Sequence, residues 1–199
     1  MSPLAAQPIR RAVFISDVHL GSRHCHAAEL ATFLSTLRCK RLYLVGDIVD
    51  FENMARRPYW HASHGAVVAE ILAFAARGTQ VTYIPGNHDA PLRKLAGQRI
   101  AGVELALQAT HVAADGRRYR VSHGDEFDSD LAAPRWLLRL GDFLQGVLCG
   151  GNRRLNRLLR ACGMHYRPLS IQLKSRVARA RRFIHDFERR VAEQARIDG

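Results

Sequence analysis

No stretch of this chain approaches the ~18 consecutive apolar residues that a membrane-spanning helix needs. Hydrophobic residues make up 47% of it and the mean hydropathy is −0.17, so a soluble globular domain is expected. Cysteine is scarce: Cys25, Cys39, Cys149 and Cys162 form no C-x-x-C pair and no tight framework. That excludes a disulfide-stapled module and predicts reduced thiols in a cytosolic protein. Residues 1–11 lack the apolar centre of a secretory signal. Internal repeats and low-complexity tracts are also absent. Acidic residues are few, 18 against 30 Lys and Arg, giving a net charge of +12 and predicting an anionic partner. The shortage is local. From Phe143 to His185 there is no acidic residue but there are ten basic ones, among them Arg153, Arg154, Arg157 and Arg160.

What the chain does contain is a series of strands that end in metal-binding side chains. Ala12-Val13-Phe14-Ile15-Ser16 is a short apolar run, expected to be a buried strand. It ends in Asp17-Val18-His19. Residues i and i+2 of an extended chain point to one side, so Asp17 and His19 could grip one ion, though an isolated D-x-H equally serves as a turn. Leu30, Phe33, Leu34 and Leu37 mark a helix ending near Cys39-Lys40. A second strand, Arg41 to Val45, runs into Gly46-Asp47-Ile48-Val49-Asp50, which places Asp47 at the same sheet edge and gives Asp50 a supporting or structural part. Val67, Val68, Ile71, Leu72 and Ala75 form a helical stripe closed by Gly78 as a C-cap. The third strand, Gln80 to Ile84, stops at Pro85 and opens into Gly86-Asn87-His88-Asp89. Ligand crevices of open α/β sheets lie at such strand ends. From Gly102 the period changes to alternation, predicting a second, more antiparallel sheet with a turn at Asp115-Gly116. Its last strand leads to His123-Gly124-Asp125, of which Asp125 is left open as an outer ligand.

The blocks D-x-H, G-D-x-x-D, G-N-H-D and H, in this order, resemble the calcineurin-like metallophosphoesterases. The resemblance implies an α/β fold, an αββα sandwich with two divalent metal ions at the strand ends. Mn is the leading identity, with Fe or Zn as alternatives. It implies that Asp17 and His19 hold one metal, that Asp47 bridges both, and that Asn87 and His123 hold the other. It assigns His88 to the scissile phosphate as acid or electrostatic stabiliser, with Asp89 supporting it. A pair of cations suits the chemistry, because phosphate esters repel anionic nucleophiles.

Residues 1–126 are accordingly read as the core, and residues 127–199 as a helical basic cap inserted after His123 plus a final core helix. Trp136, Leu137, Leu140, Phe143, Leu144, Val147 and Leu148 trace an amphipathic helix, and Val177, Ala180, Ile184, Phe187 and Val191 another. The Phe14 to Gly21 and His123 to Asp128 blocks, with Asn152, Arg153, Leu155 and Asn156, resemble the UDP-2,3-diacylglucosamine diphosphatase-like branch, which acts in lipid A synthesis. That implies a lipid-linked nucleotide pyrophosphate as the anionic substrate. Asn87, His88, Arg153 and Arg157 would contact it, in a cytoplasmic protein peripheral to the inner membrane. His88 departs from the branch, whose best-studied members have Arg there. The leucine-rich, aromatic-poor basic segment makes nucleic acid the less favoured partner. A nuclease or general phosphodiesterase is the alternative activity, and a non-catalytic basic module on a decayed scaffold is the alternative of another class. The family's closing G-H-x-H block and the strands around it are missing, so this is either a fragment or a truncated chain, expected to bind metal weakly. His24 and His26 are expected on a polar loop, and His61, His64, His111 and His165 have no assigned part.

Overall fold

The computed structural model describes residues 9–125 together with Arg189 and Ala192. The chain divides into units 1–125 and 126–199, and the first carries the architecture below. The two amphipathic helices predicted beyond Trp136, the basic cap with Arg153 and Arg157, and His165 lie outside the described residues.

Five strands make the first sheet, in the order β1 (Arg10–Ile15), β2 (Cys39–Val45), β3 (Gln80–Ile84), β5 (Val103–Leu105) and β4 (Arg99–Ile100). The first four in that order are parallel, and β4 returns antiparallel to β5. Helices α1 (Ala27–Thr36) and α3 (Ala62–Ala76) pack together and close the core on one face, around Leu34, Leu42, Leu44, Val67 and Phe74. The side chains of a strand alternate between faces. Phe14 and Tyr43 therefore point the other way, stacked at 4.8 Å, and meet His111 of a second, antiparallel sheet. That sheet is β6 (Ala109–Val112) and β7 (Arg118–Val121).

Several expectations need correction. Val103–Leu105 alternates, yet it joins the first sheet parallel to β3, and the second sheet starts only at Ala109. The alternation reflects Val103 and Leu105 in the core and Glu104 exposed on the other face, which does not distinguish a parallel from an antiparallel neighbour. Strand β1 is no buried strand: among the described residues it is an edge, and Phe14 is 49% exposed. Helix α1 stops at Thr36, because Leu37 turns to extended backbone and Cys39-Lys40 already pair in β2. Its Phe33 faces outward. In α3 the buried row is His64, Val67, Ile71 and Phe74; it shares Val67 and Ile71 with the predicted stripe, Val68 and Ala75 pack against the core at its side, and of the stripe only Leu72 is exposed. Gly78 follows the cap residue Arg77; Gly78 N–H donates to Ala75 C=O and Thr79 N–H to Phe74 C=O, which closes the last turn. A short helix missing from the sequence reading, α2 (Phe51–Arg56), starts where the Asp50 carboxylate accepts the Asn53 N–H at 2.9 Å.

Candidate metal centre

Parallel pairing continues past the strand ends and lines up the loops that follow them. Gly46 N–H donates to Ile84 C=O at 2.7 Å, Asp17 N–H to Gly46 C=O at 3.2 Å, and His19 N–H to Asp47 C=O at 2.8 Å. Asp17, His19 and Asp47 all take left-handed backbone, at φ of 54°, 53° and 54°. For a residue with a Cβ that conformation costs on the order of 1 kcal/mol or more. Among the described residues only Ala101 shares it outside glycine, so the strain is concentrated on three of the candidate ligands. It also corrects the extended-strand argument: β1 has ended at Ile15, and Asp17 and His19 are aimed by left-handed backbone at each residue, not by strand alternation.

Two groups of ligand atoms result, each within 4.8 Å: His19, Asp47 and His88; and Asp17, Asp47 and His123. Asp47 belongs to both. Its Oδ2 lies 3.9 Å from His19 Nε2 and 3.8 Å from His123 Nε2. Those gaps are too long for hydrogen bonds, yet two ligands that each sit ~2.0–2.2 Å from one ion can span them. Asn87 is exposed on the loop after β3, between Gly86 and His88. Space is kept open by glycine. A Cβ on Gly46 would lie 2.0 Å from His123 Cδ2, and one on Gly86 would lie 2.5 Å from Asp47 Oδ1.

Asp50 joins the two histidines. Its Oδ1 accepts from His88 Nδ1 at 2.9 Å, and its Oδ2 lies 3.3 Å from His19 Nδ1. Burial pushes the Asp50 carboxyl up, but the bonds from His19, His88 and the Asn53 N–H outweigh it and hold the group well below the ordinary carboxylate range. In the metal-free chain the Asp50 hydrogen bond, against burial, pushes the His88 imidazole up to about 9. Asp50, not Asp89, is thus the carboxylate that supports His88. Asp89 is 0% exposed and accepts four donors: Ile48 N–H at 2.9 Å, Asp47 N–H at 3.3 Å, the Tyr83 hydroxyl at 2.6 Å, and Gly86 N–H. It ties the Gly46-Asp47 loop to the Gly86-Asn87 loop instead of meeting substrate. Burial pushes the Tyr83 phenol far up, so it stays a donor. Asp125 pairs with Arg93.

The family model for calcineurin-like phosphoesterase matches residues 10–161. The chain belongs to the calcineurin-like phosphoesterase family. Two curated relatives carry the name UDP-2,3-diacylglucosamine hydrolase. One, from Porphyromonas gingivalis, is 32% identical over 123 residues, which is 57% of this chain and 45% of that protein. Another, from Histophilus somni, is 30% identical over 128 residues, 61% of this chain and 52% of that protein. The chain therefore spans about half the length of the curated relatives it matches. The crystal structure of Pseudomonas putida nuclease MPE aligns with a TM-score of 0.30 at 24% identity, over 49% of this chain and 48% of that one, too loose a match to carry an argument.

The calcineurin-like phosphoesterase family implies divalent metal ions, and the donors present fit them. Imidazole nitrogens mixed with carboxylate oxygens suit Mn, Fe or Zn. The His123 ring suits the same role: its Nε2 lies 3.8 Å from Asp47 Oδ2, and its buried Nδ1, which makes no hydrogen bond, lies 3.4 Å from Asp125 Oδ1. The supporting part that the sequence reading gave Asp50, the second acid of G-D-x-x-D, agrees with its bonds to His19 and His88, whereas Tyr83 and His64 left no signal.

Proposed function

We propose that this chain carries the metal-holding face of a hydrolase that cleaves phosphodiester or pyrophosphate bonds, with two divalent ions, Mn first. The observation behind this is the pair of ligand groups that share Asp47, drawn from the ends of three parallel strands and, for His123, from the end of β7. Asp17, Asp47 and His123 would hold one ion, and His19 and Asp47 the other, a division that differs from the pairing of Asp17 with His19 and Asn87 with His123 that the resemblance implies; Asn87, exposed on its loop, is the proposed amide ligand. Bound there, the ions would supply charge neutralisation for phosphoryl oxygens and make a nearby water more acidic. The protein does the rest. Asp50 fixes His88 through Nδ1, so His88 Nε2–H is the proton free for a phosphoryl oxygen. In the metal-free chain the Asp50 hydrogen bond pushes the His88 imidazole up to about 9, so the ring carries that second proton there.

The proposed substrate is a lipid-linked nucleotide pyrophosphate of the UDP-2,3-diacylglucosamine type. The names of the two relatives support it, as do the ten basic residues between Phe143 and His185, with Arg153 and Arg157 as the proposed anion contacts. A basic, leucine-rich segment also suits an anionic membrane surface, so the proposed location is cytoplasmic and peripheral to the inner membrane. Among the described residues no helix is long and apolar enough to cross a membrane. The test is release of UMP from the lipid nucleotide by the Mn-loaded chain, beside a generic phosphodiester. UMP release that needs Mn and disappears in Asp47→Ala is expected. Turnover of the generic diester alone rejects the lipid substrate, and a chain that binds no metal rejects the metal centre.

A further inference from the structure

The loop that carries His19 is held by a residue with no part in the proposed chemistry. Just past His19 the chain turns: Ser22 N–H donates to His19 C=O at 3.0 Å, and Gly21, at φ of 102°, takes the third position. The peptide between Leu20 and Gly21 is gripped at both ends. Its carbonyl accepts Asp50 N–H at 2.8 Å. Its buried N–H donates to His64 Nδ1, from α3, at 3.2 Å. The next carbonyl, that of Gly21, accepts from Asn53 Nδ2 at 3.1 Å. His64 is 2% exposed, and the Tyr59 and Trp60 rings meet it edge-on at 5.5 and 5.2 Å. Arg23 lies over Tyr59 at 5.0 Å. Burial pushes the His64 imidazole pKa down and nearby His61 adds to this, so the ring is neutral. A donor at Nδ1 then places its proton on Nε2.

We infer that His64 is a positioning residue: its Nδ1 sets the Leu20–Gly21 peptide, and through that turn it aims His19 at Asp47. This rests on the reading of His19 and Asp47 as metal ligands. A turn with glycine at its third position relaxes most easily by flipping its central peptide. Without the acceptor the buried Gly21 N–H has no partner, and a flip would also break the bond to Asp50 N–H. Asp50 holds both His19 and His88, so the disturbance reaches the whole ligand group.

Two substitutions separate positioning from packing. His64→Asn keeps an acceptor oxygen near the Nδ1 position, whereas His64→Leu fills the space without one. In the full chain, Mn affinity is measured by calorimetry, and exchange of the Gly21 amide by NMR on the metal-free protein. His64→Leu should weaken Mn binding by about 10- to 100-fold and lose Gly21 protection, with His64→Asn within about threefold of wild type in both. Wild-type Mn affinity in His64→Leu, or equal Gly21 protection in the two variants, overturns the inference. If the wild-type chain binds no Mn, the metal centre fails, and the Gly21 exchange still decides the clamp. If His64→Leu does not fold, the tautomer of the wild-type ring decides it. A proton on Nε2 is expected, and one on Nδ1 removes the acceptor and refutes the assignment.

Discussion

Replacing Asp89 by alanine should unsettle the fold before it touches the chemistry. The carboxylate is fully buried and accepts from Ile48 N–H, Asp47 N–H, Gly86 N–H and the Tyr83 hydroxyl. Alanine leaves three backbone donors and one phenol without an acceptor. Each stranded donor costs about 1–3 kcal/mol, and relaxation with water entry keeps the sum near the ~3–5 kcal/mol seen when a buried charged network is broken. At roughly 2–4 °C per kcal/mol for a chain of this size, the melting temperature should fall by roughly 6–20 °C. Tyr83→Phe removes one donor and leaves the carboxylate its other three, so it should cost only about 0.5–1.5 kcal/mol. Thermal and urea unfolding followed by circular dichroism would measure both. Asp89→Ala within ~1 kcal/mol of wild type would refute the reasoning. So would an Asp89→Asn variant that unfolds like wild type and loses only turnover, because Asp89 would then act on substrate.

In the metal-free chain, Asp50→Asn should bring the His88 pKa down from about 9 toward the ordinary histidine value of 6.5, read from imidazole shifts by NMR. A His88 that still titrates near 9 would mean another group holds its proton. The same pair sets a pH window for stability. The His88 contribution is complete below its unfolded value of 6.5 and is lost as pH rises through about 9. That of Asp50 is complete above its unfolded value of 3.8 and is lost in acid. Urea midpoints should therefore peak between these limits and flatten at the alkaline side in Asp50→Asn. Gly86→Ala places a Cβ 2.5 Å from Asp47 Oδ1 and 2.7 Å from His123 Cε1, so its Mn affinity should drop about 10-fold or more by calorimetry. Unchanged affinity would mean that the ions do not sit between those side chains.

Reading the strands from sequence worked where both local composition and termination agreed. Gln80–Ile84 is β-branched and aromatic, ends at Pro85, and is β3 to the residue. The edges of α1 and the buried row of α3 were less legible. Periodicity shows that a helix has an apolar side, but the neighbouring element decides which of two adjoining rows goes inside, and here His64 took a place that hydropathy assigns to no histidine. The parallel partner of β5 was illegible for a related reason, since pairing joins residues far apart in the chain.

The sequence alone determined the family and the order of the ligand blocks, because parallel strands must deliver the residues that follow them to one edge of a sheet. It also determined that glycine precedes Asp47 and Asn87, where a Cβ would collide with the His123 ring or the Asp47 carboxylate. Only the tertiary structure decided how the acids divide their work. Asp50 and Asp89 both look like partners for His88. Their difference lies in burial and in donors contributed from about 40 residues away: the Asp47 and Ile48 amides to Asp89, and the His88 imidazole to Asp50. A hydrogen bond is set by distance and direction in space, and those are fixed only when the loops of three strands have come together.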